Sequence, residues 1–354
     1  MADESFCTSI TAICFIYLAQ LKFPSPGIAI LPIFIDNHKP FIKDTITQLF
    51  LTTESESEPH LAGLVIDLFC TSMIDVANEL GIPSYLFFTS NAVFLSFMLH
   101  FPILDAQIHT NFKDLETELI VPGFINPVPP HVLPSGVSSK RRYGYTWYLY
   151  HGRRFKETKG INVNTFAELE PQAVSFLSCN GGIPPVYPVD PLLDLQGQMH
   201  SRLDQTKFES VKRWLDNQPP SSVVWLCFGS FGSFGRSGHP ILWSLRQPSR
   251  GFSSPTDYVN HEEALPEGFL DRTAERGLVC GWVPQVEVLA HPAIGGFVSH
   301  CGWNSTLESI WFCVPIAVRM RIKEMQEKSK KTLMDGGSSF ISLECLIKEM
   351  LNEN

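Results

Sequence analysis

Along most of this chain, short apolar runs closed by turn residues alternate with stretches in which apolar residues return every three or four positions. The first pattern predicts buried parallel strands, and the second predicts the helices between them. In the first half, 61–66 reads as a strand ending at Asp67, 73–80 as a helix stopped by Gly81-Ile-Pro83, 84–88 as a strand ending at Thr89-Ser90, and 161–166 as another. Strand, helix and strand in succession indicate a doubly wound α/β domain. Residues 121–134 are proline-rich and read as a loop, while 143–150 gather aromatics suited either to an apolar pocket or to a core.

A stiff Pro184-to-Pro191 stretch and the polar run through Thr206 read as a linker. Beyond it, Val211-Lys-Arg-Trp-Leu215 opens a second domain with strands at 223–228, 241–245 and 295–299. Helices follow from Ser305, over 322–334 and over 343–351, so the expected domains are 1–195 and 206–354. Between strands 223–228 and 241–245 only the Gly- and Pro-rich residues 229–240 are available. That is close to the minimum of about a dozen for a parallel crossover.

The first fifty residues are the least regular. Pro24, Pro26 and Pro32 punctuate them, and Asn37-His-Lys-Pro40 leads into an amphipathic helix through Phe41, Ile42, Ile46 and Leu49. The apolar stretch 6–19 follows Asp3 and Glu4 instead of basic residues and is too short to span a bilayer, so it reads as a core helix.

The stretch from Trp282 to Pro315 carries most of the chemistry. Gly295-Gly-Phe-Val-Ser299 is a buried strand, His300-Cys-Gly-Trp-Asn304 a tight loop, and Ser305 the start of a helix. Free amides and the positive dipole end at such a helix start suit a phosphate. Asn304, Ser305 and His300 add side-chain donors, and the exposed indole of Trp282 beside Pro284 offers a flat face to a base, a stacking contact of about 1–3 kcal/mol. Glu308 and Gln285 are placed to accept from and bind ribose hydroxyls.

Plainer roles compete at each position. Ser305-Thr-Leu-Glu308 is also a capping box. His300 fits a satisfied core histidine, and Trp282 and Trp303 fit packing aromatics. Asp67, at the carboxyl end of a strand where open α/β sheets place ligands, is equally a turn residue or helix cap. The Gly/Ser loop 229–235 after a strand suits a close phosphate but is a weak signal alone.

Composition narrows the classes. Hydrophobic residues make up 44% and charged residues 18% of 354, which indicates a soluble protein large enough for two cores. A net charge of −9 excludes a nucleic-acid surface, since Lys328, Lys330 and Lys331 form only a short solvated run. Nine scattered cysteines, with no Cys-x-x-Cys pair and no His cluster, indicate a reducing compartment and no metal site. A cytoplasmic protein without a membrane span is expected.

The Trp282-to-Glu308 run closely resembles the C-terminal signature of plant secondary-product UDP-glycosyltransferases, W-x-P-Q-x-x-x-L-x-H-x-x-x-G-x-F-x-x-H-C-G-W-N-S-x-x-E-S. The resemblance implies the inverting GT-B arrangement, two Rossmann-like α/β domains facing a cleft. It implies that Trp282 stacks on uracil, Val283 meets it through its backbone, and Gln285 and Glu308 hold the ribose. It further implies that His300, Asn304 and Ser305 hold the phosphates, that Trp303 lies beside the sugar, and that Ser230 faces sugar or phosphate. In the first domain Asp67 matches the aspartate that orients the catalytic histidine, and Thr89 a residue near the transferred sugar. The activity implied is metal-independent, cofactor-free transfer of glucose from UDP-glucose to a hydroxyl of a small lipophilic acceptor such as a flavonoid, by a monomer.

The chain departs from that pattern at three places. Pro24-Ser-Pro-Gly-Ile28 starts like the loop bearing the family's catalytic base, but Ala29-Ile30 follow where Gly-His is expected, and His38 does not match the base. The helix after Gly235 is missing, and after Val318 the family's W-P-x-x-x-E-Q block is interrupted: Arg319 and Met320 replace its Trp-Pro, and Glu324-Met325 its final pair. These gaps imply an incomplete fold and leave a second reading open, a catalytically inactive remnant that at most binds UDP. A ligand carrier with no nucleotide role would instead require the indole of Trp282 to be buried.

Overall fold

Runs of apolar residues buried on both faces are assembled into parallel sheets. The computed structural model describes residues 30–48, 61–189, 191–195, 205–227, 240–247, 256–265, 267–274, 276–316, 331–334 and 336–352. By packing, these fall into two units, 1–191 together with 332–354, and 192–331. The sequence boundaries assign 206–354 to one domain, but residues from Thr332 onward pack with the first unit.

In the first unit, helix α1 (Ile30–Ile46) precedes strand β1 (Leu64–Asp67), followed by α2 (Met73–Leu80), β2 (Ser84–Phe88) and α3 (Ala92–Gln107). Next come α4 (Tyr143–Arg154), β3 (Gly160–Val163), α5 (Pro171–Cys179) and β4 (Val186–Pro188). The four strands are parallel neighbours in chain order, with Ile66, Leu86, Phe88, Ile161 and Val163 all fully buried. α1 begins earlier than the Asn37–Pro40 entry and carries Pro40 inside it. Its packing on α2 outweighs that break: Lys39 and Arg154 meet the two carboxylate oxygens of Asp75 at 2.8 and 2.6 Å, tying α1, α2 and α4 together.

α3 is apolar around almost its whole circumference, so no amphipathic stripe marks it; it is buried as a core helix. Its N-terminus is closed by the protein's own groups. Asn91 accepts from the Phe94 amide at 2.6 Å, and the Glu170 carboxylate accepts from the amides of Ala92 at 2.8 Å and Val93 at 3.0 Å. The aromatics at 143–150 lie on α4, where Tyr145 and Trp147 belong to the core and Tyr143 and Tyr150 are exposed.

The second unit holds α6 (Gln205–Asp216), β5 (Val223–Cys227), β6 (Ile241–Ser244), and the paired short strands β7 (Arg246–Gln247) and β8 (Thr256–Asp257). These are followed by α7 (Phe269–Thr273), β9 (Gly277–Cys280), α8 (Gln285–Leu289), β10 (Ile294–Ser299) and α9 (Trp303–Trp311). The main sheet is parallel in the order β10-β5-β6-β9. The chain winds one way from β5 to β9, then crosses to the far side of β5 as β10. The short connection after β5 still delivers β6 as a parallel neighbour, with Trp225 opposite Leu242. A face of Trp225, Leu242 and Phe297 is covered by Val211 and Leu215 of α6 and by Val288 and Leu289 of α8.

The last helix, α10 (Ser338–Asn352), starts five residues before the expected 343–351 segment. Leu346 packs with Ala62 and Tyr85, and Ser338 donates to Glu168, which holds α10 against the first unit's sheet. The predicted helix 6–19, Ser230, Glu324, Lys328 and Lys330 lie outside the described residues, as do most of 322–334 and the Pro24-to-Ile28 loop.

Candidate functional site

In an open parallel sheet, two neighbouring strands whose following connections leave in opposite directions open a crevice at their carboxyl ends. In the second unit that reversal falls between β5 and β10. The end of β10 is Ser299, paired with Cys227 at the end of β5, and the candidate loop 300–304 starts there.

The sequence places the helix start at Ser305, but α9 begins at Trp303. The difference matters because Ser305 then sits inside the first turn and does not cap it. The residue at the cap is Gly302, which has no side chain to bond to the helix amides. Cys301 takes a left-handed φ of 56°, which helps turn the chain from strand to helix within the three residues 300–302. His300 is exposed, and its Nε2 lies only 2.7 Å from where a Cβ on Gly302 would stand. The imidazole therefore rests against the start of α9. Asn304 is exposed and Trp303 half-buried.

The base-side loop leaves β9 through Gly281 and Trp282, then anchors at Val283, which is 6% exposed, and at Pro284, the cap of α8. The first residue of α8, Gln285, donates from Nε2 to Ser305 Oγ at 2.9 Å and to Glu308 Oε2 at 2.6 Å. That contact joins the loop after β9 to the first turns of α9 and rules out the capping box: Glu308 is engaged by Gln285. Burial pushes the Glu308 carboxyl above the usual range, the Gln285 bond opposes this, and Asp194 adds to it. Trp282 is half-buried, which does not meet the requirement of a carrier that hides its indole.

Of the residues singled out from the sequence, Val283, Gln285, His300, Trp303, Asn304, Ser305 and Glu308 thus belong to two segments that Gln285 joins, with Trp282 three positions before it. Asp67 ends β1, and Thr89 directly follows its neighbour β2 in the first unit. The Asp67 carboxylate accepts from the Phe69 amide at 2.9 Å, the turn role that competed for it, and its pKa is raised by burial, with the Phe69 and Leu68 amides opposing. Asp257 and Asp194 were not marked by the sequence, since both sit in segments without a periodic or motif signal.

The family described as UDP-glucoronosyl and UDP-glucosyl transferase matches residues 232–352. Beyond that segment, UDP-glycosyltransferase 71K1 of Malus domestica is 42% identical over 395 residues, covering 92% of this chain and 82% of that protein. The chain belongs to the plant UDP-glycosyltransferase family.

The aligned span exceeds this glycosyltransferase's own 354 residues, so gaps in its sequence interrupt the match, as the departures after Gly235 and Val318 imply. UDP-glucose flavonoid 3-O-glucosyltransferase 6 of Fragaria ananassa is 50% identical over 324 residues, covering 86% of this chain and 66% of that protein. Among solved structures, a UGT transferase of Siraitia grosvenorii in complex with UDP superposes with a TM-score of 0.81 at 40% identity, covering 94% of this chain and 86% of that one. The fold is the GT-B type of these transferases, with parallel α/β units, and the chemistry of the family is glycosyl transfer from a UDP-sugar. Among the described residues, no helix is long and apolar enough to cross a membrane, and no cluster of His, Cys, Asp or Glu suits a metal.

Proposed function

We propose that this chain moves glucose from UDP-glucose to a hydroxyl of a small lipophilic acceptor such as a flavonoid, with inversion, as a cytoplasmic monomer. The observation that carries the donor half is the Gln285 bridge to Ser305 and Glu308 in the first turns of a helix that starts after Gly302 at the sheet's switch point. On this reading uracil stacks on Trp282 and meets the Val283 backbone, Gln285 and Glu308 hold the ribose, and His300, Asn304, Ser305 and Ser230 meet the phosphates, with Trp303 beside the sugar. The acceptor oxygen attacks the anomeric carbon, the bond from that carbon to the diphosphate oxygen breaks, and UDP departs. Charge gathering on the diphosphate is met by the helix dipole and the surrounding donors, a stabilisation that takes no metal or further cofactor. The flavonoid class of acceptor is supported by the printed activity of the Fragaria relative.

The acceptor's proton needs a base, a contribution of roughly a hundred- to ten-thousand-fold. Asp67 is the surviving member of the family's dyad, with Thr89 near the sugar. The Ala29-Ile30 pair standing where the family has Gly-His favours a second reading, a chain that binds UDP without transferring sugar. Incubating the purified chain with UDP-glucose and a panel of flavonols, with products followed by mass, decides between them. Glucoside formation supports transfer, and UDP binding without product leaves the second reading standing.

A further inference from the structure

Trp282 leaves the sheet just after the last ladder residue of β9, and its backbone amide is taken by a carboxylate from elsewhere in the unit. The Trp282 N–H donates to Asp257 Oδ1 at 2.9 Å. Asp257 ends β8, paired in register with Arg246 of β7, whose Nε lies 3.6 Å from the same oxygen. The carboxylate is thus held between a guanidinium and a main-chain amide.

The approach is so close that any side chain at residue 281 would displace the carboxylate. A Cβ there would fall 2.3 Å from both Cγ and Oδ2 of Asp257. On the other side of Trp282, Val283 is locked in the core. The peptide carrying the indole is therefore set from one side by the core and from the other by Asp257.

We propose that Asp257 is the positioning residue for Trp282, orienting the loop that presents the indole and so governing recognition of the pyrimidine end of the nucleotide. This rests on the reading of Trp282 as the base-stacking residue. Asp257 touches no substrate; it acts through the backbone of residue 282. A role confined to the base end separates it from a general structural part, because a ligand with phosphates but no base does not sense it.

The experiment is calorimetric titration of the full chain with UDP and, separately, with inorganic pyrophosphate. For Asp257→Ala, UDP affinity is expected to fall about tenfold, within the range of a lost base stack, while pyrophosphate affinity stays within about twofold. Asp257→Asn, which keeps an acceptor oxygen, restores most of the UDP affinity, and Asp257→Ala combined with Trp282→Ala is no weaker than Trp282→Ala alone. Gly281→Ala, which pushes the carboxylate aside without removing it, gives the same selective loss and serves if Asp257→Ala does not fold. Unchanged UDP binding in Asp257→Ala and Gly281→Ala, equal loss of UDP and pyrophosphate, or additive single and double losses would each overturn the proposal alone. Failure of the unaltered chain to bind UDP overturns the nucleotide reading and this proposal with it.

Discussion

Gln285 Nε2 lies 2.6 Å from Glu308 Oε2, so the first residue of α8 clamps a carboxylate one turn and a half into α9. The same amide reaches Ser305 Oγ. Two segments separated by a full strand are held in one local frame by a single side chain.

Replacing Gln285 with Leu leaves the Glu308 carboxylate half-buried without this donor. The expected loss is about 1–3 kcal/mol of stability at neutral pH, read as a lower Tm, together with weaker UDP binding. The pH dependence has a defined sign. The folded pKa of Glu308 stands above its unfolded value because of burial, so the cost is complete above the folded pKa and is relieved as pH falls through it. The variant's titration midpoint for Glu308, followed by carboxylate NMR, should move further up, since the Gln285 bond is what opposes the rise.

Gly302→Ala tests the helix end. The new Cβ would stand 2.7 Å from His300 Nε2, and His300 is exposed, so the ring swings away at little cost to folding. The expected outcome is an unchanged Tm within about a degree or two, with a loss of UDP affinity of about 1.5–3 kcal/mol, the scale of a hydrogen bond to a charged group. His300→Ala should match it, and the two changes together should not add.

His151 makes stability depend on pH between neutral and acid conditions. It is 2% exposed, its Nδ1 lies 2.7 Å from Thr71 Oγ1, and its pKa is pushed down to about 4 by burial and then by Arg154, with Asp36 opposing. The unfolded state takes up a proton near pH 6.5 that the folded state refuses until about pH 4. Stability is therefore lost progressively as pH falls across that window, by up to about 3 kcal/mol. Urea titrations from pH 7 to 4 should show the slope, and His151→Gln should flatten it.

Cys313 closes α9 in a left-handed conformation, φ 57°, with the Val314 amide donating to Ser309 O at 2.9 Å and the Cys313 amide to Ile310 O at 3.1 Å. This is the Schellman arrangement, in which the left-handed position favours glycine. Cys313→Gly is expected to stabilise the chain by about 1 kcal/mol, the cost of a side chain in that region, raising Tm by a few degrees. A lower Tm would show that the thiol's packing outweighs its backbone strain.

The parts of the site legible in the sequence were those with a local cause. An apolar run followed by Gly and Asn makes a strand and a turn wherever it lies, so β10, its loop and α9 could be placed within about two residues. The error at Ser305 has the same origin: Ser-x-x-Glu is a good cap in isolation, and only the approach of Gln285, 23 residues earlier in the chain, takes Glu308 out of it. The sequence does not announce α3, because a fully buried helix has no polar face to set a period.

By itself, the sequence determined the alternation of strands and helices, the family signature from Trp282 to Glu308, and the departures from it, because each is written in neighbouring residues. Tertiary structure alone decided the order β10-β5-β6-β9, and with it the switch point at the candidate loop. It also decided that Glu170 closes the end of α3 from 78 residues away while Gly302 takes the cap position of α9, and that Asp257 takes the Trp282 amide across 25 residues. Such pairings are set by which surfaces pack together, a balance of burial and hydrogen bonding over the whole unit that no local pattern encodes.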